Sequence, residues 1–235
     1  MIRLRLRCLS VCMLLGLLLC GRAVSFEGNL ITREQVDAVK LLPPPPAVDS
    51  AAQQRDMEFV IQAEKNRTPE QATRAIADNA TSVFRFADVL GPRFAAPELP
   101  ITAKFFAQLT ALQREILAPT KTVWNRPRPF ATNAGLHAVG ELPTTGSYPS
   151  THAHFGYLIG IVLGQLVPEK AAELMARGLE YGDNRVLAGV HYPTDVEASR
   201  RVAAATAATL LANPTFNAEL AIVKDELRRG LGYPR

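Results

Sequence analysis

Apolar residues recur at helical intervals along most of this 235-residue chain, and polar residues gather where the pattern breaks. From residue 50 onward there is neither the alternation that strands require nor an internal repeat, so the pattern predicts a single compact all-α helical-bundle domain. Met57, Val60, Ile61 and Glu64 mark one amphipathic helix. Thr68-Pro69-Glu70-Gln71 combines a capping threonine, a first-turn proline and a glutamine three residues on, which opens the next helix. Further helices are expected over residues 100–124, 151–166, 168–190 and 195–212. Phe105, Leu109, Leu112 and Ile116 share one face, while the stretch from Val196 to Leu211 is apolar on nearly every side and predicts a buried central helix. Before the body stands Leu41-Leu42 followed by four prolines, Pro43 to Pro46. These are expected to form an extended polyproline stretch with no helix on either side, separating a short N-terminal arm, residues 26–49, from the rest.

The first 25 residues read as a leader. Arg3, Arg5 and Arg7 form a positive region, residues 9–19 are apolar, and Ala23-Val24-Ser25 is a small-x-small cleavage pattern: together a secretory signal peptide. The apolar run is short of the roughly 20 residues that a spanning helix requires. Removing the leader changes the charge. The whole chain has 26 basic and 22 acidic residues, but four of the arginines (Arg3, Arg5, Arg7, Arg22) lie in the leader, which has no acidic residue. Residues 26–235 therefore carry 22 of each sign, and the net positive charge that would suggest a nucleic-acid or membrane partner disappears. Cys8, Cys12 and Cys20 leave with it, so the exported chain has no thiol for a nucleophile, a zinc site or a disulfide. A periplasmic or secreted destination follows.

Three breaks hold the candidate chemistry. In Gly146-Ser147-Tyr148-Pro149-Ser150-Thr151-His152, a serine able to cap precedes an apolar helical run. Its unsatisfied N–H groups and the positive end of the helix dipole favour an oxyanion. In Arg185-(five residues)-His191-Tyr192-Pro193-Thr194-Asp195, the carboxylate four residues past the histidine can accept from one ring N–H and free the other nitrogen. Lys121-(six residues)-Arg128-Pro129 supplies two more cations, with Arg128 reaching in from extended chain after Pro127. Taken singly, these segments read equally as a capped surface helix, a buried polar pair and a solvated basic face. Together they supply what phosphoryl transfer needs: cations for the equatorial oxygens, helix-start donors, one histidine as nucleophile and another as acid, with no metal or other cofactor required.

The ordered set Lys-x6-Arg-Pro, Pro-Ser-x-His and Arg-x5-His-x3-Asp resembles the type 2 phosphatidic acid phosphatase superfamily, which shares its fold and site with the vanadium-dependent haloperoxidases. The proline run, the Gly-Ser-Tyr-Pro-Ser segment and Asp195-Val196 leading into Ala-rich chain resemble the bacterial class A non-specific acid phosphatases over nearly the whole exported length. The resemblance implies that His191 attacks phosphorus, Asp195 orients it, and His152 protonates the leaving oxygen and later activates water. Lys121, Arg128, Arg185, Ser150 and the Thr151 N–H would hold the phosphoryl oxygens. It also implies a broad-specificity acid phosphatase acting on small phosphomonoesters and assembling as a homodimer or larger homo-oligomer; phosphotransfer to alcohols or nucleosides could accompany hydrolysis, since a phosphoenzyme needs only a different acceptor. Two positions depart from the family: Thr151 stands where glycine is usual and Asn184 where serine is common. Both are expected to tune the site rather than disable it.

A vanadate-dependent haloperoxidase and a lipid-phosphate phosphatase are alternatives on the same fold, and an exported, non-catalytic phosphate-binding protein is one of another class. The last would not need a carboxylate placed behind His191. No Arg-His-Gly and no dense Asp/His series supports other phosphatase chemistries. His137 reads as a loop residue and His154 as a packing residue, and Asn66 and Asn79 match the glycosylation pattern.

Overall fold

The computed structural model describes residues 30–234. The expected signal peptide lies outside them. Ten α-helices are formed among the described residues, and no strand: α1 (Ala38–Leu41), α2 (Ala51–Asn66), α3 (Pro69–Ala77), α4 (Ala87–Leu90), α5 (Pro100–Trp124), α6 (Pro129–Thr132), α7 (Thr151–Leu166), α8 (Ala171–Leu187), α9 (Pro193–Leu211) and α10 (Pro214–Leu231).

Local chemistry explains most of the starts. The Ser50 side chain accepts from the Gln53 N–H, and the Thr68 capping box closes in both directions with Pro69 in the first turn. Asn213 caps α10 through the N–H groups of Thr215 and Phe216, again with proline following. Asn125, in the left-handed region at φ 36°, stops α5 immediately before the Arg126–Arg128 segment.

The central helix is not the expected one. α9 buries Val196, Ala198, Val202, Ala203, Ala207 and Leu210, but Glu197, Arg201, Ala204 and Ala208 form an exposed stripe at helical spacing. Exposed alanines make that segment look apolar all round. The helix enclosed on nearly every side is α7, where Gln165 alone is exposed. It packs against α8 through a glycine seam: a methyl at Gly156 would overlap the Gly178 carbonyl, and one at Gly178 the Gly156 carbonyl. Gly182 lies similarly close to Ala153 and Val196. Without Cβ atoms the two backbones approach closely, which sets the start of α7 beside the end of α8.

Three other expectations change. The helix expected over 168–190 begins as a 3₁₀ turn at Pro168–Lys170 and ends at Leu187, because Gly189 adopts φ 76° and turns the chain toward His191. The proline run does have a helix beside it: Asp37 caps the single turn of α1, which ends at extended Leu42. Nor does the arm stand apart from the body. Leu30, Ile31, Val36 and Leu42 join the main core, and the Tyr148 hydroxyl donates to the Pro43 carbonyl at 2.9 Å. Burial of those four apolar side chains is worth about 1.5–3 kcal/mol each, which is enough to hold the arm down.

Candidate active site

Four helices and two loops bring the candidate residues to one end of the bundle. Lys121 lies in the last turn of α5, Arg128 stands in extended conformation just before α6, Ser150 to His152 open α7, and Arg185 closes α8. His191 occupies the turn before α9, and Asp195 its first turn.

His191 is fixed from both sides. Its Nδ1 is 3.3 Å from Asp195 Oδ2, and its Nε2 is 3.0 Å from Arg128 Nη1. A guanidinium can only donate, so Nε2 carries the lone pair and Nδ1 the hydrogen, which it donates to Asp195. Oδ2 also accepts from the Tyr192 N–H at 2.9 Å. Burial, then the charges of Arg128, Lys121, Arg185 and His152, push the His191 pKa well below the usual histidine range. Burial raises the Asp195 carboxyl, and Arg126 opposes that rise.

The cations are held by carbonyls. Arg128 donates from Nε to Thr145 O at 2.8 Å, from Nη1 to Val190 O at 2.9 Å and from Nη2 to Gly146 O at 3.2 Å. Lys121 Nζ donates to Ser147 O at 3.2 Å and to Pro149 O. Burial and then the nearby Arg128 pull the lysine pKa down to about 7. Arg185, 1% exposed, donates from Nη1 to Asn79 Oδ1, and its Nε–H has no acceptor among the described residues. Burial lowers Arg128 and Arg185 to about 10 each, so both stay charged at neutral and acid pH.

His152 Nε2 is 3.1 Å from the Asn79 carbonyl, and its ring stacks on Tyr181 with centroids 6.4 Å apart. Since a carbonyl only accepts, Nε2 carries a hydrogen and Nδ1 is the nitrogen that gains and loses a proton. Burial, followed by Arg185, Arg128 and Lys121, lowers this histidine to about 4, and the Asn79 carbonyl opposes the shift. Ser150 is fully buried. Its Oγ accepts from the Ala153 N–H at 3.3 Å, and its own N–H donates to Asp195 O at 3.1 Å, tying the start of α7 to the start of α9. Thr151 is the half-buried first residue of α7, in the turn whose N–H groups lack intrahelical partners.

All eight candidate residues are therefore gathered. His154 and His137 are not among them: His154 is fully buried between Gln113 Oε1 at 3.1 Å and Thr206 Oγ1 at 3.2 Å, and His137 is an exposed loop residue against Glu64. Asn184 donates to Asp78 at 2.8 Å, where Arg177 also makes a two-pronged pair at 2.6 and 2.9 Å. Breaking such a buried pair costs about 3–5 kcal/mol, and here it anchors the end of α3 to the helix that carries Arg185.

Three further residues reach the site without standing out in the sequence. Asn79, matched there only as a glycosylation pattern, is half-buried and touches both Arg185 and His152. Arg126, a spacer within the Lys121–Arg128 segment, donates to Asp195 Oδ1 at 2.6 Å. Asp56 receives the other side of Arg126 at 2.7 Å. A short polar residue after a helix and an arginine beside a proline are the only signals that the sequence offers.

Residues 102–218 match the model of the PAP2 superfamily. The chain is 30% identical over 208 residues to a non-specific acid phosphatase of Providencia stuartii, covering 83% of each protein. With a non-specific acid phosphatase of Salmonella typhimurium the identity is 32% over 203 residues, covering 83% of this chain and 81% of the relative. The fold is similar to that of a transmembrane PAP2-type phosphatidylglycerolphosphate phosphatase from Bacillus subtilis, with a TM-score of 0.50 at 16% identity, covering 70% of this chain and 87% of the other. No helix among the described residues of this chain is long and apolar enough to cross a membrane.

Proposed function

The chain belongs to the PAP2 superfamily, and on that footing we propose that this acid phosphatase hydrolyses a broad range of small phosphomonoesters through a phosphohistidine on His191, without a metal, after export and removal of residues 1–25. The observation that carries the proposal is the orientation of His191 by Asp195 and Arg128, which turns a neutral, unprotonated Nε2 toward the cationic cluster.

In the proposed reaction, Lys121, Arg128 and Arg185 draw the phosphoryl oxygens in, with the Thr151 N–H and the dipole of α7 adding donors. The unpartnered Arg185 Nε–H suits an oxyanion. Nε2 of His191 attacks phosphorus in line as the bond to the ester oxygen breaks. The Nδ1–H stays hydrogen-bonded to Asp195, whose charge stabilises the ring as it becomes cationic. His152 gives its Nδ1 proton to the departing oxygen, then takes a proton from water as that water attacks the phosphohistidine and restores His191. The three cations supply the neutralisation that a metal provides elsewhere. An anion among them also raises the His152 pKa toward its ordinary value and so favours the acid form.

The test is turnover of p-nitrophenyl phosphate by wild type and His191→Ala, with EDTA in both. The proposal expects wild-type activity to survive EDTA and the variant to be inactive. Loss of wild-type activity to EDTA overturns metal independence, and an active variant overturns the nucleophile.

A further inference from the structure

Arg126 approaches the Asp195 carboxylate at 2.6 Å, nearer than His191 at 3.3 Å. It is 5% exposed, and its guanidinium lies 4.0 Å above the Tyr192 ring. Nη1 donates to Asp195 Oδ1 at 2.6 Å and to Thr194 Oγ1 at 2.8 Å. Nη2 donates to Asp56 Oδ2 at 2.7 Å and to Gln53 Oε1 at 2.5 Å. Asp56, itself 5% exposed, accepts in addition from the Thr194 N–H and hydroxyl. One buried guanidinium is thus shared between two buried carboxylates, and one of those carboxylates fixes His191.

We propose that Arg126 and Asp56 are positioning residues that divide one positive charge behind the His191–Asp195 pair and thereby set the pH below which the pair stops working. Neither residue reaches the phosphate. The proposal rests on His191 being the nucleophile.

The sign follows from Coulomb's law in a dry site. His191 and Asp195 titrate as a coupled pair, and the active form has the ring neutral and the carboxyl ionised. Arg126 holds its charge against Asp195 and lowers the affinity of the pair for a proton. Asp56 draws part of that guanidinium away and raises it. The other charged and titratable groups facing the pair are Lys121 from α5, Arg128 at the start of α6, Tyr148 from the loop before α7, His152 from α7 and Arg185 from α8. They are unchanged by substitution at 126 or 56, so two substitutions behind Asp195 shift the pair in opposite directions. If the ion pairs served only to pin α2 against the start of α9, both substitutions would lower stability and activity without moving the pH dependence.

The experiment is kcat/KM for p-nitrophenyl phosphate across the acid range for wild type, Arg126→Gln, Arg126→Lys, Asp56→Asn and His191→Ala. The acid limb is expected to move up by about one pH unit in Arg126→Gln, to return part of the way in Arg126→Lys and to move down in Asp56→Asn. Asparagine is isosteric with aspartate, so Asp56→Asn remains informative if Arg126→Gln does not fold. Limbs that stay at the wild-type position, or that move in the same direction in Arg126→Gln and Asp56→Asn, overturn the proposal even when His191→Ala is inactive. An active His191→Ala overturns the underlying mechanism, and the proposal with it.

Discussion

Arg128 places an Nη1–H 3.0 Å from Nε2 of His191 while holding the Val190 carbonyl with the same nitrogen. The arginine therefore selects the histidine tautomer and, in the proposed mechanism, also meets the arriving phosphoryl oxygen. A lysine at 128 would keep the charge but could not reach the Thr145, Gly146 and Val190 carbonyls together. Both Arg128→Ala and Arg128→Lys are expected to lower kcat/KM for p-nitrophenyl phosphate by about 10²–10³-fold. A lysine variant within a few-fold of wild type would show that charge alone suffices.

The proposed role of His152 predicts a dependence on the leaving group. An acid is needed to expel a poor leaving group such as an alkoxide and matters little for p-nitrophenolate. His152→Ala is expected to cut kcat/KM by about 10²–10⁴-fold for an alkyl phosphate and far less for p-nitrophenyl phosphate. Equal losses on both esters would assign His152 to binding instead.

Lys121, held at about 7 by burial and by Arg128, gives a pH dependence to anion binding. It is charged below that value and loses its charge as pH rises through it. The inhibition constant of sulfate, whose charge is fixed across this range, is expected to tighten in acid as His152 gains its proton and to show a separate break, weakening as pH rises through about 7. In Lys121→Met the break should disappear.

His154 makes a separate prediction about stability. Burial alone lowers its pKa to about 3, against an ordinary value near 6.5. The unfolded chain takes up a proton first as pH falls, so the stability linked to this group is full above about 6.5 and is lost progressively toward 3, at no more than about 1.4 kcal/mol per pH unit. The stability of His154→Gln, from denaturant melts between about pH 6 and pH 4, should decline less steeply than that of wild type. An unchanged slope would mean that this histidine is not the buried neutral base its surroundings describe.

The helix starts are legible in the sequence because capping is local: Ser50, Thr68 and Ser150 each lie within three residues of the N–H they satisfy. The candidate site is legible as three spaced clusters because the residue types each perform a recognisable task. What cannot be read is set by contacts distant in sequence. Arg126 meets Asp56 across 70 positions and Asp195 across 69, and no periodicity announces either pair. The identity of the central helix turns on Ala204 and Ala208, which count as apolar wherever they lie but face outward here. It turns equally on Gly156 and Gly178, whose value is visible only when the two backbones are side by side. The final helix, Pro214–Leu231, goes beyond the expected elements although Asn213-Pro214 carries a cap and a first-turn proline. Its buried contacts, Phe216, Val223 and Leu227, are spaced among enough charged residues that the apolar stripe is thin.

The most direct test of the proposed mechanism is to mix enzyme with ³²P-labelled p-nitrophenyl phosphate, quench within milliseconds under conditions that preserve phosphoramidates, and map the label by peptide sequencing. The prediction is label on His191, stable in base and labile in acid, with none in His191→Ala and a greater yield when an added alcohol is absent. Label on any other residue, or rapid turnover with no labelled enzyme at any quench time, would contradict a phosphohistidine at this position.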